Sequence, residues 1–421
     1  MQKFVVTGGT PLRGEVRIAG AKNAVLKLMA AAVLTDDPVT LTNVPKISDV
    51  TILRETMTDL GFGVRRVNGD TLTISAGEPE WLFVPLEAAM KMRASFMLLG
   101  PLLTRFGRVI IPNPGGDRIG RRPVDLHVMA MEAMGAEVEY KNGYYFAAAP
   151  QGLRGATVTF PQVTVMGTEN TILAATLARG TTVIENAAQE PEVDDLIVML
   201  CAMGAQIERT APDRLEIQGV EALHGAEHRV IGDRLEAETF AIGAAVTGGE
   251  ISLTGVDAGH LGAFLAVLDR MGVPYRTDVD GTLTVGSADS YRPTDVETAP
   301  YPGFATDFGA PLVVLMTRAD GISTIHETIY EDRLEYTAEL MKMGAVIEIL
   351  DERRARIAGP VDLHGREVHI TDLRAGATLI LAALAAHETS IISGVEHVDR
   401  GYEQVESKLV ALGAEIHRID A

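Results

Sequence analysis

The chain has 421 residues, 47% of them hydrophobic and 22% charged, with a formal net charge of −20. That composition is ordinary for a soluble globular protein, and the length suggests two or three domains. The acidic balance excludes a broad nucleic-acid or anionic-membrane face, so any basic cluster must be a local pocket, such as one for a small anion.

The single cysteine, Cys201, can form no internal disulfide, which fits a reducing compartment. It lies in the apolar helical pattern DDLIVMLCAMGA and is expected to be a buried small hydrophobe. Met1-Gln-Lys leads straight into a strand pattern, with no signal-peptide signature. The longest uncharged apolar run, AGATLILAALAA (375–386), is shorter than the roughly 20 residues of a bilayer-spanning helix, so a cytoplasmic location is expected.

In chain order, one pattern recurs six times. An apolar-all-round helix is followed by a strand, an amphipathic helix, a Leu/Met-Gly turn and another strand. The apolar runs are AVLKLMAAAVL (24–34), RASFMLLGPLL (93–103), NTILAATLA (170–178), AETFAIGAAVT (237–247), FGAPLVVLMT (308–317) and AGATLILAALAA. They predict interior helices. The strands that follow them are PVTLTNV, GRVIIPN, TTVIENA, GEISLTG, GISTIHE and TSIISGV. The turn glycines are Gly61, Gly135, Gly204, Gly272, Gly344 and Gly413, spaced 74, 69, 68, 72 and 69 residues apart. Each stands where a helix-to-strand turn needs a left-handed residue. A period of about 70 residues is too long for the usual solenoids. Three such repeats make a compact α/β globule, and two globules account for the chain, with a join expected near HGAEHRVIGDRLEAET (224–239).

One loop stands apart. PNPGGDRIGRRPVD (112–125) holds three prolines, three glycines, three arginines and two aspartates. It is too rich in breakers for a regular element. Asp117 therefore sits on a loop with Arg118, Arg121 and Arg122, either as a solvated charged turn or as part of an anion site.

Several interior helices begin beside polar residues: Lys22 and Asn23 in GAKNAVLK, Arg93 in KMRASFML, and Glu169 and Asn170 in TENTILAA. Asp307 follows in ATDFGAPL, and Asp372 and Arg374 in TDLRAGAT. The aspartates can be plain N-caps and the cations plain surface charges. Yet Lys22, Arg93 and Arg374 stand where the helix dipole favours acids, a conflict that points toward function. Arg400 follows in HVDRGYE.

With GAKNA, MRAS, PGGDRIGRRPVDLH, IENAAQEPE, TAPYPGFATD, TDLRA and DRGYE in order from residue 20 to 403, the chain resembles the enolpyruvyl transferases. The resemblance implies an α/β fold of two inside-out domains, each of three repeats, with the active site in the interdomain cleft. The expected domains are 21–230, and 1–20 together with 231–421. It further implies transfer of the enolpyruvyl group of phosphoenolpyruvate to the 3′-hydroxyl of UDP-N-acetylglucosamine. Phosphate is released by addition and elimination, in the first committed step toward peptidoglycan. On this resemblance no metal or cofactor is expected to be needed, and the acidic charge leads to the expectation of no nucleic-acid or membrane partner.

By the same resemblance Lys22, Arg122 and Arg400 hold phosphoenolpyruvate, with Asn23 beside them. Arg93 and the run Arg122, Pro123, Val124, Asp125 and Leu126 line the uridine site. Gln162, Val163, Thr164, Val165 and Ile329 touch the UDP sugar. Asp307 is the base near the attacking hydroxyl, with Asp372, Arg333, Arg374 and Glu190 as further participants. Asp117 occupies a mobile lid where most members carry the cysteine that protonates phosphoenolpyruvate and that fosfomycin alkylates. The carboxylate here implies intrinsic resistance to fosfomycin. A free aspartic acid titrates near 3.9 and arginines push it lower, so Asp117 is expected to act as an acid only when the lid is closed over its substrates.

Departures from the family pattern are Gln162 for a frequent lysine, Met97 for a frequent aromatic, and Glu335 and Tyr336 after Arg333. The sister enzyme acting on shikimate 3-phosphate carries GSKS and NAGT segments that are absent here. A sliding clamp would need basic central helices. The alternatives kept are the sister enzyme and an inactive UDP-sugar-binding paralogue.

Overall fold

The computed structural model describes residues 2–77, 79, 81–117 and 119–420, so Arg118 lies outside the described residues. The chain divides into two compact units. The first comprises Gly20–Gly116 and Arg122–Ile231; the second comprises the chain up to Ala19, Asp117–Arg121 and the chain from Gly232 onward.

Each unit carries three interior helices. In the first they are Lys22–Ala31 with a 3-10 extension Ala32–Leu34, the 3-10 stretch Arg93–Leu98 continuing as helix Leu99–Phe106, and Val165–Ala175. In the second they are Arg234–Thr247, Thr306–Met316 and Leu373–Ala385, which pack on one another. Buried along most of their length, these helices have little face to give to water, and the core of each unit forms around them. The second run breaks into 3-10 and then α-helix, which places Pro101 in the first turn of the α-helix, where its missing N–H costs nothing.

Sheets wrap the helices. Those of the first unit run Glu227–Arg229/Val39–Thr42/Thr71–Ser75/Gly63–Asn68, Arg108–Pro112/Tyr144–Ala148/Glu137–Lys141, and Gln206–Ala211/Arg214–Gln218/Thr181–Glu185/Thr157–Thr159. Among the described residues the second of these has three strands, and a parallel bridge between Phe83 and Ile110 stands where its neighbours have a fourth. Two sheets of the second unit centre on Glu250–Thr254 and Gly321–His326. In its third, the N-terminal strand Gln2–Thr7 lies between Thr389–Ser393 and Glu415–Asp420, antiparallel to both. The start of the chain thus completes the last repeat.

All six turn glycines have positive φ, between 82° and 102°. Gly135 shows the requirement cleanly: a Cβ there would meet nothing within 4 Å, so its φ of 94° alone favours glycine.

Two expectations are corrected. Cys201 is exposed, on the outer face of the Pro191–Ala202 helix. Its apolar neighbours Met199 and Leu200 take the buried side. Glu169 and Asn170 do not open their helix: it starts at Val165, capped by Thr164, whose hydroxyl accepts Gly167 N at 3.3 Å. Both residues are therefore in its second turn and fully buried. Among the described residues no helix is long and apolar enough to cross a membrane.

Candidate active site

In the second unit, Asp307 is the second residue of the Thr306–Met316 helix, whose N-cap position is Ala305. Its side chain therefore does not cap. Pro311 inside the same helix removes the N–H that would have bonded the Asp307 carbonyl. The Asp307 carboxylate meets Arg333 Nη2 at 2.5 Å and Arg374 Nε at 3.5 Å. The guanidiniums are buried, while the Asp307 side chain keeps 27% of its exposure. Burial alone would lower the pKa of Arg333, but the carboxylates of Asp307 and Asp372 outweigh it and the net shift is upward. Asp372 does cap its helix: Oδ1 accepts Arg374 N at 2.8 Å and Ala375 N at 3.1 Å, and Arg333 Nη1 stands 3.9 Å away. Arg374 donates to the Tyr402 hydroxyl at 2.9 Å. Burial pushes that hydroxyl up to about 12, against the pull of Arg374, so Tyr402 is a neutral phenol. It shares a 2.8 Å bond with Thr239. The result is one partly exposed carboxylate held on a buried, charged base of two guanidiniums.

Asp117, on the loop, contacts Arg400 through Oδ1, and His397 Nδ1 is 3.8 Å from the same oxygen. Arg400 ends the 3-10 helix Val395–Arg400. The loop is pinned nearby, where Arg121 N donates to Glu331 Oε2 at 3.2 Å. Gly120 is required there: its φ is 127°, and a Cβ would come within 2.4 Å of that carboxylate. Ile329 is half-buried, its N–H bonded to Glu327 at 2.7 Å.

In the first unit, Lys22 opens its helix after the uncapped Ala21 and pairs with the buried Asp49 at 2.9 Å. That carboxylate offsets the conflict between a cation and the helix N-terminus. The carbonyl of Asn23 receives the ammonium of Lys27, which stands 3.4 Å from Glu169 Oε2. Arg93 donates to the carbonyls of Arg122 and, at 3.2 Å, Pro123. Val124 is the N-cap position of Asp125–Ala133, so Asp125 and Leu126 form its first turn. Gln162 is exposed, and Val163, Thr164 and Val165 are half-buried at the start of the third interior helix. Glu190 occupies the N-cap position of Pro191–Ala202 and is buried.

The structure thus brings Asp307, Arg333, Arg374 and Asp372 into one cluster, and Asp117 to Arg400. It also joins Arg93 to the Arg122–Pro123 segment. Sequence reasoning missed Asp49, Lys27, His127, His397 and Tyr402. Tyr402 and His127 lie inside the quoted motifs DRGYE and PVDLH and were within reach. Asp49 carries no local signal.

A sequence profile described as EPSP synthase (3-phosphoshikimate 1-carboxyvinyltransferase) matches residues 6–409. A protein of Solibacter usitatus named UDP-N-acetylglucosamine 1-carboxyvinyltransferase is 44% identical over 420 residues, covering 100% of both chains. One of the same name from Koribacter versatilis is 46% identical, covering 100% of this chain and 97% of its own. Among solved structures, the enolpyruvyl transferase NikO from Streptomyces tendae aligns with a TM-score of 0.88 at 26% identity, over 100% of this chain and 99% of its own. EPSP synthase from Acinetobacter baumannii shares the fold, with a TM-score of 0.80 at 18% identity over 100% of both chains. The chain belongs to the enolpyruvyl transferases, the family that includes EPSP synthase and UDP-N-acetylglucosamine 1-carboxyvinyltransferase, and it is an enzyme of that class.

Proposed function

We propose that this chain transfers the enolpyruvyl group of phosphoenolpyruvate to the 3′-hydroxyl of UDP-N-acetylglucosamine. The acceptor is read from full-length relatives at 44–46% identity. The observation that carries the chemistry is Asp307, held by two buried arginines and still accessible. In this reading Asp307 takes the proton of the sugar hydroxyl. The oxygen attacks C2 of phosphoenolpyruvate as C3 gains a proton from Asp117, giving a tetrahedral phosphate ketal. Loss of a proton from C3 and of phosphate from C2 then restores the double bond. Arg400, Arg122 and Lys22 bind the phosphate and carboxylate of the donor, a task suited to guanidinium forks and an ammonium.

Asp117 raises a problem of protonation. A guanidinium in contact with a carboxylate favours its ionised form, which is the wrong form for an acid. Arg400 must therefore turn to the incoming phosphate before Asp117 can carry a proton. Proton donation by a positioned group is worth about 10²–10⁴-fold in rate. The test is phosphate release from phosphoenolpyruvate with UDP-N-acetylglucosamine or shikimate 3-phosphate as acceptor. Release is expected only with the UDP sugar. In Asp117→Asn it should fall by about 10²-fold or more with UDP-sugar affinity retained. Release with shikimate 3-phosphate alone would overturn the acceptor. Normal turnover of the variant would overturn the donor.

A further inference from the structure

Asn170 is fully buried in the second turn of the Val165–Ala175 helix, and its amide makes three bonds. Oδ1 accepts Gly100 N at 2.7 Å, and Nδ2 donates to the Phe96 carbonyl at 3.0 Å. Those two partners fix the orientation of the amide, because an N–H must face the oxygen and a carbonyl must face the NH₂. Nδ2 is then also 3.0 Å from Nδ1 of His127, and that nitrogen must be an acceptor. The imidazole proton is therefore on Nε2, and the ring is neutral. Burial agrees with this assignment: with Arg93 adding to it, it lowers His127 to about 3. Phe96 packs edge-on against the ring at 5.2 Å. Gly100 permits the close approach, since a Cβ there would lie 2.5 Å from Asn170 Oδ1.

These bonds form a closed circuit. Asn170 holds the segment that begins at Arg93. Arg93 reaches across to the carbonyls of Arg122 and Pro123. The chain then runs through Val124, whose carbonyl accepts His127 N at 3.1 Å, and His127 returns to Asn170. Every link is within the first unit. Without His127 the bonds of Asn170 to Gly100 and Phe96 remain, and what is lost is the hydrogen bond that ties the start of the Asp125–Ala133 helix to Asn170.

We propose that Asn170 and His127 are positioning residues that set Arg93 and the Arg122–Asp125 segment in the geometry that receives the nucleotide half of the acceptor. This rests on the functional reading above and deepens it. Neither side chain is assigned a contact with substrate. Arg122 enters the circuit through its backbone carbonyl, while its guanidinium is the part proposed to meet phosphoenolpyruvate. Removal of Asn170 or His127 should therefore weaken the capture of the UDP sugar far more than that of phosphoenolpyruvate and should spare the chemical step.

The experiment is steady-state kinetics on His127→Leu, His127→Asn and Asn170→Asp, with thermal melts alongside. Asparagine places an amide oxygen close to where Nδ1 stood, so it keeps the acceptor; leucine does not. The expected result is that His127→Leu and Asn170→Asp raise KM for UDP-N-acetylglucosamine by about tenfold or more, the size of one lost buried hydrogen bond. KM for phosphoenolpyruvate and kcat should stay within about threefold. His127→Asn should restore the UDP-sugar KM. Equal loss in both KM values, or no rescue by asparagine, would overturn the proposal. If the variants fail to fold, ¹⁵N NMR of the unmutated protein decides. His127 must be the Nε2–H tautomer without titrating between about pH 5 and 8; an Nδ1–H tautomer or a titration in that range sinks the circuit. Failure of the unmutated enzyme to use the UDP sugar would instead overturn the functional reading, and the NMR result would still judge the network.

Discussion

Two aspartates near helix starts look alike in the sequence and have different surroundings. Asp372 caps a helix with two backbone bonds. Asp307 caps nothing and receives two guanidiniums. The same contrast separates Asp117 from Cys201. The carboxylate sits on the loop against Arg400, and the thiol is exposed on the outer face of a helix. In the proposed mechanism the loop offers a carboxylate where an alkylating electrophile needs a thiolate, and a carboxylate is a poor nucleophile toward an epoxide. Fosfomycin is therefore expected to leave turnover intact after prolonged incubation, with no adduct on the 112–125 peptide by mass spectrometry. Alkylating Cys201 with iodoacetamide should also leave turnover unchanged. Time-dependent inactivation with an adduct on the loop would refute the first expectation. At this scale the motif residues were legible because glycine, proline or an N-terminal helix position marks them. Asp49 and Lys27 were not, because their meaning lies in a partner that only the fold supplies: Lys22 for Asp49, Glu169 for Lys27.

The elements were more legible than their ends. Apolar runs and turn glycines located every interior helix, because burial on all sides leaves no polar face to blur the pattern. The start of the third was misplaced by five residues, since Thr168, Glu169 and Asn170 look like a helix mouth and are in fact buried in it. The capping hydroxyl of Thr164 was the signal that should have moved it. Burial raises Glu169 to about 8, against the pull of Lys27. A folded-state pKa above the ordinary 4.5 means the native state holds a proton the unfolded chain has released. The resulting stabilisation is complete below pH 4.5 and is lost as pH rises toward 8. His127 works in the opposite sense: lowered to about 3, it costs stability as pH falls below its ordinary 6.5. The two effects offset each other in the raw pH profile, so the informative quantity is a difference. Glu169→Gln should gain stability relative to the parent as pH rises from about 5 to 8, by up to about 1.4 kcal/mol per pH unit, and level off above. Urea unfolding at several pH values measures it. A difference that does not change with pH would mean that Glu169 is ionised throughout.

At the scale of the whole molecule, the six-fold period and the three-plus-three grouping were readable because a buried helix needs a sheet around it. What could not be read was which sheet each stray strand joins. Glu227–Arg229 pairs with Val39–Thr42 nearly two hundred residues earlier, and Gln2–Thr7 closes the last repeat. Such pairings depend on closure in space. The chain passes between the two units four times, at Ala19, Gly116, Arg121 and Ile231, yet each unit encloses its own apolar core. Cores that do not share side chains should open separately, whatever the number of crossings. Leu102 and Leu315 are both fully buried, one in each core. Replacing either by alanine should cost about 2–5 kcal/mol through lost burial and the cavity left behind. Hydrogen exchange should then quicken in the interior helices of the mutated unit and keep its protection in the other. If Leu102→Ala instead loosened Leu373–Ala385 as much as Val165–Ala175, the two cores would be one cooperative structure, and the repeat would be a feature of ancestry and geometry without being a unit of stability.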